Sequence, residues 1–275
     1  MQLLSLSIPK DTNLYQIGDL HIGTKFHYER GLERTIKDIK KDKHAKVILM
    51  GDLCESIAVD DPRYDSDTNT QPVPFKQAED IIRLLAPIKD KIISILDGNH
   101  ELKIKRIINM SAYVAKELEA QYGTWTLKLN LKGMFKCLFA HGDLRRWSLR
   151  STSPDPDQKE ANEKAMLRRW LSPKAADCLY MGFAHYHKLI VVEPKKSLYL
   201  TDDGKSIHQH YTAIADHQYI HKDLRWYGCS GAFFKQYEVG YNSYAEIAGY
   251  EPVELGYLVL RIRNGQLTAV EAVKP

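Results

Sequence analysis

The chain has 275 residues, 44% hydrophobic and 27% charged, which fits a folded domain with a sizeable core and excludes disordered and fibrous classes. A net charge of +4 and a pI near 8.7 permit a polyanionic partner without requiring one. No apolar run would span a bilayer, the opening MQLLSLSIPKDTN lacks the pattern of a secretory signal, and Cys54, Cys137, Cys178 and Cys229 show no CxxC spacing, so the expectation is a cytoplasmic protein with reduced core thiols.

In chain order, an apolar run predicts a strand over 14–18, and a charged amphipathic helix follows over 28–41. Residues 46–50 (KVILM) have no polar alternation, as in a strand covered on both faces. A polar loop over 57–73 precedes a helix over 75–85, a buried strand over 92–96 and a helical pattern over 111–120. This alternation is the α/β signature. Beyond Tyr122-Gly123 strands dominate: 125–131 and 135–140 joined at Lys132-Gly133, then 179–183 and 189–192. Between them, 144–174 reads as a basic, Pro-punctuated excursion ending in a helix over 158–171. A second excursion over 202–228 opens at the Asp202-Asp203-Gly204 turn, which suggests a hairpin. Residues 257–262 and 267–273 fold back around Asn264-Gly265 as a last hairpin. The organisation expected is a single domain over 1–275, an α/β sandwich.

One device recurs along this order. Apolar residues lead into Gly18-Asp19-Leu20-His21, Gly51-Asp52, Gly98-Asn99-His100, Ala140-His141-Gly142 and Ala184-His185-Tyr186-His187. Each time a buried strand stops, a small residue follows, and a metal-ligand side chain appears. Ligands bind at the carboxyl edge of strands in open α/β sheets, so five such edges would gather these groups at one point. Residues i and i+2 of an extended segment share a side, which would aim Asp19 with His21, and His185 with His187, into one cavity. Imidazole, carboxylate and amide oxygen without thiolate suit Mn²⁺, Fe or Zn²⁺ rather than Ca²⁺. Seven candidate ligands exceed one tetrahedral ion and fit two adjacent ions sharing a carboxylate.

Taken singly, each motif has a plainer reading. An Asp-x-His at a strand end is commonly a turn with a surface histidine, GNHE a helix entry with Glu101 favoured by the dipole, and His141 a bonded core histidine. The five in order reverse that. Their order and spacing resemble the calcineurin-like metallophosphoesterase superfamily, with D-x-H, GD-x-x-[DE], GN-H-[DE], H-G and G-H-x-H spread over residues 18–187. The resemblance implies a β-sandwich flanked by helices with a dimetal site at the strand carboxyl edge. It gives Asp19, His21 and His187 to a first metal and Asn99, His141 and His185 to a second, with Asp52 bridging and His100 catalytic. Two divalent ions are implied, Mn²⁺ foremost, with Fe, Zn²⁺ or Ni²⁺ as alternatives. Ala184 stands where the last motif usually has glycine. Tyr186 stands where threonine is frequent and is expected to project toward substrate. Glu55 or Glu101 would orient His100 by accepting its second N–H.

The resemblance implies in-line attack on a phosphoester by a metal-bridging hydroxide, with His100 as general acid. Two divalent ions, two aspartates and a hydroxide sum to about +1, which attracts a phosphate. The foremost expectation is a phosphodiesterase acting on nucleic acid, DNA or RNA, similar to the SbcD-type nuclease branch in its GNHE motif and basic flanks. Arg145 and Arg146 are its candidate substrate contacts, and Lys103, Lys105, Arg106, Arg150, Lys164, Arg168 and Arg169 add to the basic flanks. The alternative is a small-molecule hydrolase acting on a cyclic nucleotide, a dinucleotide or a lipid-linked pyrophosphate. A non-catalytic scaffold ranks last, because no ligand is missing. His208, His210, His217 and His221 read as polar strand or loop positions, Asp143 as exposed, and Trp147 and Trp170 as packing before base stacking.

Overall fold

The computed structural model describes residues 1–145, 148–213 and 218–275. Arg146, Trp147 and His217 therefore lie outside the described residues. The strands are β1 (Gln2–Leu6), β2 (Thr12–Ile17), β3 (Ala45–Leu49), β4 (Ile92–Ile95), β5 (Gln121–Tyr122), β6 (Thr126–Leu131), β7 (Lys136–Ala140), β8 (Tyr180–Phe183), β9 (Ile190–Val192), β10 (Leu198–Asp202), β11 (Ile207–Tyr211), β12 (Trp226–Cys229), β13 (Tyr257–Arg263) and β14 (Gln266–Val273). The helices are α1 (Glu29–Lys41), α2 (Pro74–Leu85), α3 (Asn99–Ile104), α4 (Met110–Glu117), α5 (Pro156–Leu171) and α6 (Tyr244–Ile247).

Two six-stranded sheets form, one in the order β14-β13-β2-β3-β4-β5, the other β1-β6-β7-β8-β12-β9. In the first, β2 to β5 run parallel; in the second, β7, β8 and β12 do. Their alternating side chains explain the unbroken apolar runs. Ile48 faces inward with Leu14, Leu96, Phe139 and Tyr180, filling the space between the sheets. Val47 and Leu49 face outward against Leu32, Ile36 and Ile39 of α1 and Ile81 and Leu85 of α2. A strand buried on both faces has no polar side to show.

On α1 the buried residues Leu32, Thr35, Ile36 and Ile39 fall at the i, i+3, i+4, i+7 spacing of a single face. Helix α5 starts where Asp155 caps it, accepting from Asp157 N and Gln158 N, with Pro156 in the first turn. Its Leu167, Trp170 and Leu171 cover Leu138, Met181 and Tyr227 on the outer face of the second sheet. The basic excursion thus supplies the fourth layer of a helix–sheet–sheet–helix sandwich. Trp170, 7% exposed, belongs to that layer. Where the sheets approach, Tyr180 donates to Gln16 Oε1 at 2.5 Å and Gln16 Nε2 donates to Phe183 O at 2.8 Å. Gly182 has to be glycine there, since a Cβ would lie 2.2 Å from Gln16 Oε1. All four cysteines are buried and unpaired. Among the described residues, no helix is long and apolar enough to cross a membrane.

Candidate metal centre

The carboxyl ends of β2, β3, β4, β7 and β8 point the same way, and the five motifs follow them directly. Asp19, His21, Asp52, Glu55 and His141 form a buried floor; Asn99, His100, His185 and His187 are partly exposed at its rim. Three groups of potential ligand atoms converge: Asp19, His21 and His187; His21, Asp52 and His100; and Asp52, His141 and His185. Asp52 and His21 each belong to two of them.

The backbone that makes this possible is not the extended one expected from the i, i+2 spacing. Asp19, His21, Asp52, His185 and His187 all have left-handed φ, between +49° and +67°. Non-glycine residues pay for that conformation only where the surroundings enforce it. The turns are held by cross-strand bonds, among them Asp19 N to Gly51 O (3.0 Å) and His21 N to Asp52 O (3.0 Å). Gly98 lets the third edge close in, because a Cβ on it would sit 2.1 Å from both Asp52 N and Asp52 Oδ1.

Three ring tautomers are set by acceptors behind the floor. His141 Nδ1 donates to Met50 O (2.7 Å) and His100 Nδ1 to Glu55 O (2.6 Å); a carbonyl can only accept. His21 Nδ1 pairs with Glu55 Oε2 at 2.8 Å. This turns each Nε2 forward, the arrangement by which outer groups orient metal ligands. The Glu55 carboxylate therefore orients His21, and its main-chain carbonyl holds His100, from which the carboxylate stands 3.7 Å away. Glu101 orients neither ring. Buried, it accepts from the backbone N–H groups of Asp52 (3.1 Å), Leu53 (2.6 Å), Cys54 (2.9 Å) and Gly98 (3.0 Å), clamping the turn that carries Asp52.

Charge balance favours cations. Burial opposes a charge on His21, yet the bond and charge of Glu55, with Asp52 and Asp19, prevail and lift it to about 9. Burial likewise opposes His141, and Asp52 and Asp19 lift it to about 9. Burial and the charge of His141 push His185 down to about 4. Despite burial, His141, His100 and His21 hold Asp52 far below the usual carboxylate range. The buried carboxylates hold protons on the rings where cations would otherwise sit.

The donor set fits metal ions. His21 Nε2 is buried without a hydrogen-bond partner, 3.9 Å from Asp52 Oδ2. Asp52 Oδ2 lies 3.3 Å from His141 Nε2, and Asp19 Oδ1 lies 3.2 Å from His187 Nε2. Ligand atoms each about 2.1 Å from one ion stand roughly 3–4 Å apart, which covers these separations. Asn99 Oδ1 joins the second group 3.0 Å from His141 Nε2.

No protein-family model and no curated protein matches this chain. Among solved structures it is similar to Vacuolar Protein Sorting 29 from Cryptosporidium parvum, at 14% identity over 96% of this chain and 99% of that one, TM-score 0.39. It is similar to a predicted phosphoesterase from Streptococcus pneumoniae at 11% identity, over 96% and 98% of the two chains, TM-score 0.33. A hypothetical protein from Pyrococcus horikoshii gives 8% identity, 96% and 87% coverage and a TM-score of 0.45. At these scores the likeness says nothing of substrate or activity.

Other sequence expectations are redistributed. Tyr186 does not project toward substrate: it is buried, its ring packs against Trp170 and Phe183, and its hydroxyl bonds Asp143 N at 3.0 Å. With both neighbours in left-handed turns, it points inward where they point out. Arg145 is exposed, and its backbone N–H donates to Asp143 Oδ1 at 3.2 Å. Arg150, Lys164 and Arg168 are engaged with Glu251 O, Glu160 and Asp223. His208 and His210 lie on the exposed β10–β11 hairpin, and His221 caps a short 3₁₀ turn. Sequence reasoning missed Phe234, whose ring centroid is 4.6 Å from that of His21 and 5.8 Å from that of His187. The signal was there: Gly228-Cys229-Ser230-Gly231 repeats the strand-then-small-residue device without a ligand.

Proposed function

We propose that this chain hydrolyses phosphoesters at a two-cation centre, with the phosphodiester of a nucleic acid as its substrate. The observation that carries the reading is Asp52 at the junction of two donor groups, facing the unpartnered Nε2 of His21. Asp19, His21 and His187 would hold one cation, Asn99, His141 and His185 the other, and Asp52 both. Two such cations supply Lewis-acid polarisation of a phosphate and acidify a water near neutrality.

The chain's own groups do the rest. Water oxygen bonds phosphorus as the ester P–O bond breaks, and the leaving oxygen needs a proton. His100 is placed to give it: Nδ1 is tied to Glu55 O, which leaves Nε2 as the atom that exchanges a proton. Burial lowers its basicity despite Asp52 and Glu55, so the imidazole is a ready proton donor once charged. Glu55 and Glu101 hold ring and turn in register, and the complete donor set counts against a non-catalytic scaffold.

A nucleic-acid substrate is supported by the mild positive charge and the partial exposure of Asn99, His100, His185 and His187 at the rim, and a small nucleotide is the alternative. The test is hydrolysis of bis-nitrophenyl phosphate against the monoester under Mn²⁺, with labelled single- and double-stranded DNA and RNA alongside. Diester preference with polynucleotide cleavage is the expected result. A strong monoester preference would sink the diesterase reading, and opening of cyclic nucleotides without polynucleotide cleavage would favour the small-molecule alternative.

A further inference from the structure

The β10–β11 hairpin stands apart from the four layers, with every residue of both strands exposed. Its root is tied down at Asp223, whose carboxylate accepts from Ser197 Oγ at 2.5 Å and Arg168 Nη1 of α5 at 3.2 Å, and whose carbonyl accepts from Lys195 N at 2.7 Å. At the tip, Asp203 Oδ1 accepts from Lys205 N at 2.9 Å and Ser206 N at 2.7 Å, and Gly204 takes a φ of +82°. The arm is held in shape at both ends.

Its register decides what it presents. Leu198 lies opposite Tyr211, Leu200 opposite Gln209 and Asp202 opposite Ile207. Opposed residues share a face, so Leu198, Leu200, Ile207 and Tyr211 form an apolar one, each between 51% and 73% exposed. Tyr199, Thr201, His208 and His210 take the other face, where the rings of Tyr199 and His210 stack at 5.3 Å.

The backbone edges follow from the same ladder. Thr212 N donates to Ser197 O at 2.9 Å and Asp203 N to Ser206 O at 3.3 Å. Hydrogen-bonded pairs alternate along antiparallel strands, so those in between are Tyr199 with His210 and Thr201 with His208. The N–H and C=O groups of Ile207, Gln209 and Tyr211 therefore point outward along the edge of β11. Among the described residues, none of them meets a backbone group beyond the hairpin. The strand (IHQHY) has no lysine, proline or bulge, the features that guard an open edge.

We propose that the outer edge of β11 pairs with β11 of a second copy of this chain, antiparallel about a two-fold axis through Gln209. In that register the strand is complementary to itself. Ile207 falls opposite the second copy's Tyr211, and Tyr211 opposite its Ile207, which joins the two most exposed apolar residues of the face. Gln209 meets its own equivalent, His208 meets His210, and past the strand ends Lys205 meets Ala213, so no carboxylate faces a carboxylate and no ammonium an ammonium. The outward groups at 207, 209 and 211 exchange hydrogen bonds in pairs, as an isologous contact requires. The β10 edge lacks this match, because pairing about Leu200 would set Leu198 against Asp202. Two hairpins become one four-stranded sheet. The contact is smaller than that of an obligate dimer, so association depends on concentration.

Sedimentation equilibrium from micromolar to submillimolar protein tests this, at pH 8, where imidazole is ordinarily uncharged. The wild type is expected to pass from monomer to dimer. Gln209→Pro removes an outward N–H at the axis and none inside the hairpin, and should stay monomeric with an unchanged far-UV spectrum. Leu200→Pro makes the same change on the β10 edge and should still dimerise. Cross-linking gives a readout that no proline affects: Gln209→Cys sets two thiols at the axis, on Cα atoms about 5.5 Å apart, within disulfide reach. The four native cysteines are buried. Oxidised glutathione should then link Q209C into dimers and leave Leu200→Cys largely unlinked. A wild type monomeric throughout, a dimer that survives Q209P, or equal cross-linking of Q209C and L200C overturns the pairing.

Discussion

His21 Nε2 and Asp52 Oδ2 face each other across 3.9 Å, too far for a hydrogen bond, and the nitrogen is buried with no other partner. An unmet buried polar atom costs roughly 1–3 kcal/mol, so the gap is held open by the fold rather than chosen by the pair. A cation between them satisfies both.

Asp52→Asn is therefore expected to lower bound Mn²⁺ from two ions per chain to one or none, and diester hydrolysis by at least about 10³-fold. Metal analysis after gel filtration reads the first, initial rates the second. Two ions retained at wild-type affinity would remove Asp52 from the junction.

Metal binding should release protons. His21 and His141 hold theirs up to about 9 in the metal-free protein, so ions compete with two protons below that pH. Apparent affinity is expected to rise with pH up to about 9, with proton uptake by buffer of differing ionisation enthalpy as the calorimetric readout. The metal-free protein moves oppositely. Its two imidazoles bind protons more tightly folded than at their ordinary 6.5, so that contribution to stability is full below pH 6.5 and lost as pH rises through 9. Its Tm should fall across that window.

Glu55→Gln leaves the backbone carbonyl on His100 but weakens the acceptor behind His21. Loss of such an outer-shell partner typically costs 10–100-fold in metal affinity. The expected result is that loss in one of the two ions, seen as a split in the binding isotherm, with the other ion little changed.

Glu101→Ala removes four accepted hydrogen bonds from buried N–H groups. At about 1–3 kcal/mol for each donor left unmet, partly offset by water entering the space, a loss of about 3 kcal/mol or more is expected. Urea unfolding of the metal-free protein measures it. A loss below about 1 kcal/mol would mean that the turn carrying Asp52 does not depend on this clamp.

His100→Ala should keep both ions and lose about 10²–10⁴-fold in turnover on alkyl or nucleotide diesters, and far less on nitrophenyl esters, whose leaving group needs little protonation. Equal losses on both leaving groups would deny it the acid role.

Much of the sandwich was legible because buried strands and amphipathic helices leave periodic traces: the KVILM run became β3 with Ile48 on one face and Val47 and Leu49 on the other. Strand β1 went unread because its burial alternates on a polar edge, and α3 because six residues beginning at Asn99 make too little pattern. At the centre, residue types and order identified the converging groups, but not their torsions. An Asp-x-His spacing is compatible with extended backbone or with two left-handed residues, and only the neighbouring strand edge decides. Glu101 was legible as a residue and illegible as a role, since acceptance from N–H groups of residues 52–54 depends on how two loops meet.

The left-handed torsions of Asp19, His21, Asp52, His185 and His187 have a cost that falls on the whole chain. At about 1 kcal/mol or more apiece, they set several kcal/mol against a folding free energy that is commonly about 5–15. The four packed layers must be sturdier than folding alone requires, so that their surplus can keep the strand tips coiled like a cocked spring. Selection for stability alone would place glycine or asparagine at those tips, residues that hold the same torsions at less cost.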